Sequence, residues 1–339
     1  MEAANHNSQG ATTFAGKLAA VTGGGSGMGR ALVRQLAAGG CSVAVCDWHA
    51  DAVADTATAA RADAPGGVLL TAHTCDVSDE QQVRRFRDEL LDQHATDHVD
   101  LVFSNAGIGG AASFVKSPRE EWERTFAVNW GGVYNCARTF LPLLIASGDG
   151  VIVNTSSVNG FWAALGPGMP NNAYATAKFA IRGFTEALIE DLRSNAPQVR
   201  AVLVMPGHVG TDILANTRRA HGGAEPRDMS DAVIQETIPA DAQEGLTRAG
   251  LLPKGASADD LRRLLAQFET DFREKAPVSA EDAATTILDG VRSGKWRILI
   301  GRDAATLDTV IRANPEAAYD YDELFKLAKE EAERATSTV

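Results

Sequence analysis

A chain of 339 residues can bury a large core, and 45% hydrophobic with 22% charged residues is the make-up of an ordinary folded protein rather than a disordered one. Its 44 acidic against 32 basic side chains leave a formal charge of -12, a field that repels polyanions. The basic residues are scattered among carboxylates on helical stretches, as in Arg84, Arg85, Arg87, Asp88 and Glu89, so nucleic acid is excluded as a partner.

Residues 1-14 are polar, without the basic start and apolar stretch of a secretory signal, and are expected to form a flexible segment ahead of a single Rossmann-type domain over 15-339. From Lys17 onward, short runs rich in Val, Ile and Leu alternate with longer helical patterns, which argues for a parallel sheet covered on both faces. Strands are predicted at 18-22, 42-47, 68-75, 101-104, 151-155, 200-205 and 297-300. Helices at 27-38, 50-62, 79-94, 118-146, 171-195 and 281-292 serve as right-handed crossovers. The fold class is therefore α/β, a doubly wound parallel sheet of about seven strands with helices on both faces. Some 75 residues part the sixth strand from the helix at 281, where a crossover needs about a dozen, so 212-276 is read as a substrate-lid insert. Leu261, Leu264, Leu265, Phe268 and Phe272 make part of it helical, and 303-339 is expected to be a helical tail. No run approaches roughly 18 apolar residues, so no membrane partner is expected. Cys41, Cys46, Cys75 and Cys136 hold no C-x-x-C pair to grip a metal; they read as free core thiols in a cytoplasmic protein.

The turn Thr22-Gly23-Gly24-Gly25-Ser26-Gly27-Met28-Gly29 follows the first strand and opens the first helix. Glycines in that place let the backbone approach a pyrophosphate, whose charge meets free N–H groups and the positive end of the helix dipole. Alone, such a turn serves equally as a flexible loop; between a strand and a helix it points to a dinucleotide. A Walker A loop is excluded, since no Lys-Ser/Thr pair follows. Asp47, 18 residues after Gly29, can accept hydrogen bonds from the adenosine ribose and would repel a 2′-phosphate, which favours NAD over NADP. The plainer use of Asp47 is to end the strand or cap the next helix. Tyr174 and Lys178 stand four apart in a segment rich in helix formers, so they share one helix face. A phenol titrates at about 10, and acid–base work near neutral pH requires a cation such as Lys178 beside it.

These signatures, taken in order, resemble the short-chain dehydrogenase/reductase family. The likeness rests on Gly23-x-x-x-Gly27-x-Gly29 after Thr22, and on Tyr174-Ala-Thr-Ala-Lys178 after a strand that ends Asn154-Thr-Ser-Ser-Val-Asn-Gly160. It covers about residues 15-215 and 276-302, leaving the insert and tail outside. It implies that Tyr174 exchanges a proton with the substrate oxygen, that Ser157 holds that oxygen, and that Lys178 also bonds the nicotinamide ribose. Asn129, in Phe126-Ala-Val-Asn-Trp130, would kink its helix and hold a relay water. Ser26 and Met28 lie in the cofactor turn, where Ser26 adds none of the positive charge common in NADP-preferring members. Asp76 and Val77 would meet the adenine, Asp76 also serving as a cap for the helix at 79. Asn105-Ala106-Gly107 would let the cofactor pass closely, and Pro206-Gly207-His208-Val209-Gly210-Thr211 would meet its carboxamide and phosphates. Ser156 is expected to be structural, and His208 to line the site without reacting. Ser157 and Tyr174 stand 17 residues apart, a longer interval than the family usually has, so Phe161 to Asn172 carries extra loop.

The resulting expectation is an oxidoreductase that passes hydride between NAD(H) and a secondary alcohol or ketone. The alternative is a catalytically silent NAD-binding module acting through protein partners, which the intact Ser157, Tyr174 and Lys178 set disfavours. An epimerase is disfavoured because its G-x-x-G-x-x-G turn is absent. By family habit the helices at 118-146 and 171-195 pair across a two-fold axis in a homodimer or homotetramer. Phe161, Trp162, Leu165, Met169, Ile213 and Leu214 are candidates for an apolar substrate lining.

Overall fold

Runs of Val, Ile, Leu and Ala buried on both faces build seven strands in this computed structural model, which describes residues 13-337. They are β1 (Leu18–Thr22), β2 (Ser42–Asp47), β3 (Leu70–Thr74), β4 (Leu101–Ser104), β5 (Gly150–Thr155), β6 (Val199–Pro206) and β7 (Arg297–Ile300). All pair in parallel, in the order β3-β2-β1-β4-β5-β6-β7. The order reverses between β1 and β4, which opens a crevice at their carboxyl ends. On one face α1 (Gly27–Ala38), α2 (Ala50–Asp63) and α11 (Ala280–Arg292) bury Leu32, Leu36, Ala57, Ile287 and Val291. On the other, α3 (Glu80–Gln93), α5 (Gly132–Ala146) and α6 (Asn172–Asn195) bury Phe86, Leu90, Phe140, Leu144 and Leu188. All four cysteines are free and buried in these layers. Among the described residues no helix is long and apolar enough to cross a membrane.

Three expectations shift. Residues 1-12 of the segment expected to be flexible lie outside the described residues, but Phe14 is 3% exposed, packs in the core and carries Arg292 over its ring at 4.6 Å, so the folded body starts before residue 15. The third strand is shorter than 68-75, because the turn in which the Val68 amide donates to Pro65 O occupies its start. The helix expected over 118-146 is broken into α4 (Arg119–Phe126), a π-helical turn (Ala127–Gly131) and α5. Asn129 causes the break: its Nδ2 donates to Thr125 O (2.8 Å) and to Ile108 O (2.7 Å), drawing a helix carbonyl out of the regular ladder.

The insert is more helical than its sequence indicates, comprising α7 (Ile213–Ala220), α8 (Asp231–Thr237), α9 (Ala240–Arg248) and α10 (Ala258–Glu274). A small core of Met229, Ile234, Leu252 and Leu261 holds it together, and a Ser257–Asp260 capping box starts α10. The tail forms α12 (Arg302–Ala313) and α13 (Tyr321–Ser337). Val310 and Ile311 of α12, Leu324 of α13 and Ala318 of the turn between them pack on Phe161 and Trp162, and Trp162 Nε1 donates to Ala318 O at 2.8 Å.

A bidentate ion pair fastens α12 to β7: Arg297 donates to both Asp308 oxygens, and Arg312 to one of them. Burial alone would raise the Asp308 carboxyl, but the bonds and charges of the two arginines together hold it below the ordinary carboxylate range. Asp308→Ala strands the Arg297 guanidinium, 14% exposed, and should cost about 3 kcal/mol in urea unfolding. An unchanged midpoint would show that this pair contributes nothing to docking the tail.

Candidate active site

At the carboxyl end of β1 the chain turns so tightly that side chains have no room. A Cβ on Gly29 would lie 2.1 Å from Gly23 O, and one on Gly23, at φ +67°, would lie 2.7 Å from Ala106 Cα. Thr22 Oγ1 accepts the amides of Asn105 (3.1 Å) and Ala106 (3.2 Å), and Asn105 Nδ2 donates to Thr22 O (3.1 Å). Asn105-Ala106-Gly107 thus braces the turn from β4. Thr211 does so from the other side, since a Cβ on Gly27 would meet its Cγ2 at 3.0 Å. The crevice beside the turn has a volume of about 490 Å³, and its walls include Ser26, Gly27, Met28, Asp47, Val77, Ala106, Gly107 and Thr211.

Asp47 stands at one end of this crevice. Its Oδ2 accepts the Gly25 amide (2.9 Å) and its Oδ1 the His49 amide (3.0 Å), which fixes the carboxylate while leaving lone pairs on both oxygens. Asp76 lies further along. Its Oδ1 accepts from Ser78 and its Oδ2 from Arg124 Nη1 (2.8 Å). Asp76 does not cap α3; Asp79 does, accepting the Gln81 and Gln82 amides. Arg124 was not legible in the sequence, where it is one more charge on a solvated helix face; its partner is 48 residues away.

Ser157, Tyr174 and Lys178 come together beside the crevice. Tyr174 is half-buried with its hydroxyl at the buried end. Burial pushes the phenol up to about 12, and a hydrogen bond with Ser157 pulls it partly back. Lys178, 3% exposed, sets its Nζ 5.2 Å from the Tyr174 ring centre and donates to Thr155 O at 3.0 Å. Burial lowers its ammonium to about 7. Ser156 Oγ donates to Lys178 O (2.7 Å) and so ties the end of β5 to α6. A Cβ on Gly107 would meet Asn129 Oδ1 at 2.7 Å and Lys178 Nζ at 3.4 Å, so these two atoms flank one point on the crevice wall. Asn129 Oδ1 is buried without a hydrogen-bond partner among the described residues, which suits a polar guest such as water.

The extra loop after Ser157 forms a small antiparallel hairpin, Ala164–Gly166 with Met169–Pro170. Asn159 stitches it down through Trp162 O and Ala164 O, both at 2.9 Å. The proposed apolar lining divides: Phe161 and Trp162 are buried under the tail, Leu165 and Met169 are exposed, and Ile213 lines the crevice. In the loop 206-211, a Cβ on Gly207 would meet Asp303 Oδ2 at 2.2 Å, and that oxygen accepts the His208 amide at 2.7 Å. His208 Nε2 donates to Phe272 O (2.9 Å) on α10, and Val209–Gly210 pairs with Val278–Ser279. His208 therefore ties the loop to α10 of the insert.

The short chain dehydrogenase family model matches residues 17-222, the stretch that holds the turn, Ser157, Tyr174 and Lys178. The chain belongs to that family. A Mycobacterium tuberculosis protein named as an oxidoreductase, SadH, is 33% identical over 301 residues, 89% of this chain and 92% of that one. The meso-2,3-butanediol dehydrogenase of Serratia marcescens is 30% identical over 259 residues, 73% of this chain and 97% of that one. Among solved structures, a short-chain dehydrogenase/reductase from Burkholderia phymatum in complex with NAD is 28% identical, covers 90% of this chain and 96% of its own, and superposes with a TM-score of 0.70. An alcohol dehydrogenase of Thermococcus sibiricus complexed with 5-hydroxy-NADP is 30% identical, covers 57% and 77%, and has a TM-score of 0.50. This short-chain dehydrogenase is thus an oxidoreductase with a nicotinamide cofactor, and its insert and tail extend beyond the matched stretch.

Proposed function

We propose that this short-chain dehydrogenase passes hydride between NAD(H) and a secondary alcohol or its ketone, with Tyr174 as the acid–base group. The observation that carries the reading is the juxtaposition of Tyr174 and Lys178 one helical turn apart, with Lys178 Nζ 5.2 Å from the Tyr174 ring centre and 3.4 Å from where a Cβ on Gly107 of the crevice wall would lie. The crevice suits a dinucleotide because Gly23 and Gly29, where a Cβ would collide with backbone, hold a tight turn at the amino end of α1, whose N–H groups and dipole favour phosphate. Bound there, the cofactor supplies the hydride acceptor or donor. Ser157 donates a hydrogen bond to the substrate oxygen and stabilises charge that grows on it. Tyr174, as phenolate, takes the alcohol proton, or as phenol returns it to the ketone. Lys178 holds the phenolate charge that burial would otherwise disfavour. Asn129 Oδ1, facing the same point as Lys178 Nζ, is suited to hold a water that carries the proton onward.

A secondary alcohol is chosen because a relative is named for 2,3-butanediol, whose hydroxyls are secondary. NAD is chosen on Asp47, whose fixed carboxylate would repel a 2′-phosphate. The same reading makes the enzyme a cytoplasmic homodimer or homotetramer, with its four thiols kept reduced. Asp47→Ala should shift the ratio of kcat/KM for NADP against NAD upward by about tenfold or more. A wild type that already prefers NADP would contradict the assignment. Reduction of NAD with a panel of secondary alcohols tests the whole reading; cofactor binding with no turnover of any of them would favour the silent binding module.

A further inference from the structure

A dinucleotide brings two phosphate charges, yet the turn from Thr22 to Gly29 contains no basic residue. Its backbone N–H groups and the α1 dipole offer only about half a positive charge. Three arginines line the crevice: Arg30, Arg124 and Arg219. Arg30 is turned back to Gly25 O (2.7 Å) and Thr56 Oγ1 (3.0 Å). Arg124 is held by Asp76 and Ser78, both at 2.8 Å. Arg219 comes from the facing wall, on α7 of the lid.

The lid fixes this guanidinium with some care for direction. Arg219 Nη1 donates to Asn216 Oδ1 at 2.9 Å, and Asn216 Nδ2 donates to Ser26 Oγ at 2.9 Å, so a single side chain links the arginine to the Gly-rich turn. Its Nε donates to Glu225 Oε1 (2.9 Å), and Glu225 shares its charge with Arg218 (2.9 Å). Arg218 in turn pairs with Glu269 of α10 at 3.0 Å, with side chains only 10% and 15% exposed, which anchors α7 to the rest of the lid. Asp212, the acid on the same wall, is neutralised by Arg273 at 2.8 Å.

We propose that Arg219 is the phosphate-binding residue of the insert, meeting the cofactor pyrophosphate from the side opposite the amino end of α1. The inference rests on the dinucleotide reading of the crevice and adds to it a residue outside the Gly-rich turn and the loop 206-211. Planar, always charged and held by two bonds, the fork suits a diphosphate better than a lysine would.

Binding of ADP-ribose and of adenosine to wild type and Arg219→Gln, at low and high salt, tests it without any turnover. Loss of one charged hydrogen bond should weaken ADP-ribose by about tenfold or more at low salt, and the gap should narrow at high salt. Adenosine, which has no phosphate, should stay within about twofold and so reports that the variant is folded. ADP-ribose affinity unchanged by the substitution, or both ligands weakened alike, would overturn the role of Arg219 while leaving the dinucleotide reading intact. A wild type that binds neither ligand would overturn both.

Discussion

Tyr174→Phe should lower kcat by about a thousandfold while NAD affinity stays within about twofold, as measured by steady-state turnover and by titration of the cofactor. The substitution removes one oxygen and keeps the ring, so the packing at the start of α6 survives. The turn, Asp47 and the loop 206-211 are untouched by it. The lost oxygen is the one proposed to take up the substrate proton. A rate undiminished in this variant would remove Tyr174 from the chemistry.

Lys178→Met should produce two opposite effects. The ammonium has an ordinary value of 10.5 and is lowered by burial to about 7. Below pH 7 the folded chain therefore carries a buried cation; between about 7 and 10.5 it sheds that proton while the unfolded chain still holds it. The unfolded state binds more protons in that window, so stability rises with pH across it. Methionine removes the penalty, and the cofactor-free variant should melt higher than wild type, by up to a few kcal/mol below pH 7 and by progressively less toward pH 10.5. Loss of the bond to Thr155 O offsets about 1 kcal/mol of the gain. Activity should move the other way, down by about a hundredfold or more. Burial has pushed the phenol up to about 12, and among the described residues Lys178 is the side-chain cation that stands over its ring. A variant that melts lower than wild type at pH 6 and keeps its rate would contradict both halves.

The central sheet was legible because its strands are buried on both faces, so that Val151, Ile152 and Val153 or Val202, Leu203 and Val204 appear as unbroken apolar runs. The Gly-rich turn and the Tyr174–Lys178 pair were legible because each is a local arrangement within one element. What escaped depends on partners distant in sequence. The kink at Asn129 was expected from the family resemblance, but its bond to Ile108 O, 21 residues away, is announced by no periodicity in 118-146. Arg124 and Arg219 read as ordinary surface charges until Asp76 is placed beside the first and Asn216, bonded to Ser26 190 residues away, ties the second to the Gly-rich turn. The helices α8 and α9 are short, and in α8 only Ile234 is fully buried, so their stripe is too thin to mark them. The tail was read as amphipathic, but its docking on Trp162 joins residues more than 150 positions apart, and with it the fate of the expected apolar lining.

The most direct test is a crystal structure of the protein with NAD and an unreactive ketone or alcohol analogue. The account predicts that the Tyr174 and Ser157 hydroxyls both hydrogen-bond the ligand oxygen, with the ligand carbon facing nicotinamide C4 and Lys178 beneath the phenol. A Tyr174 hydroxyl turned to solvent, or separated from C4 by protein, would contradict it.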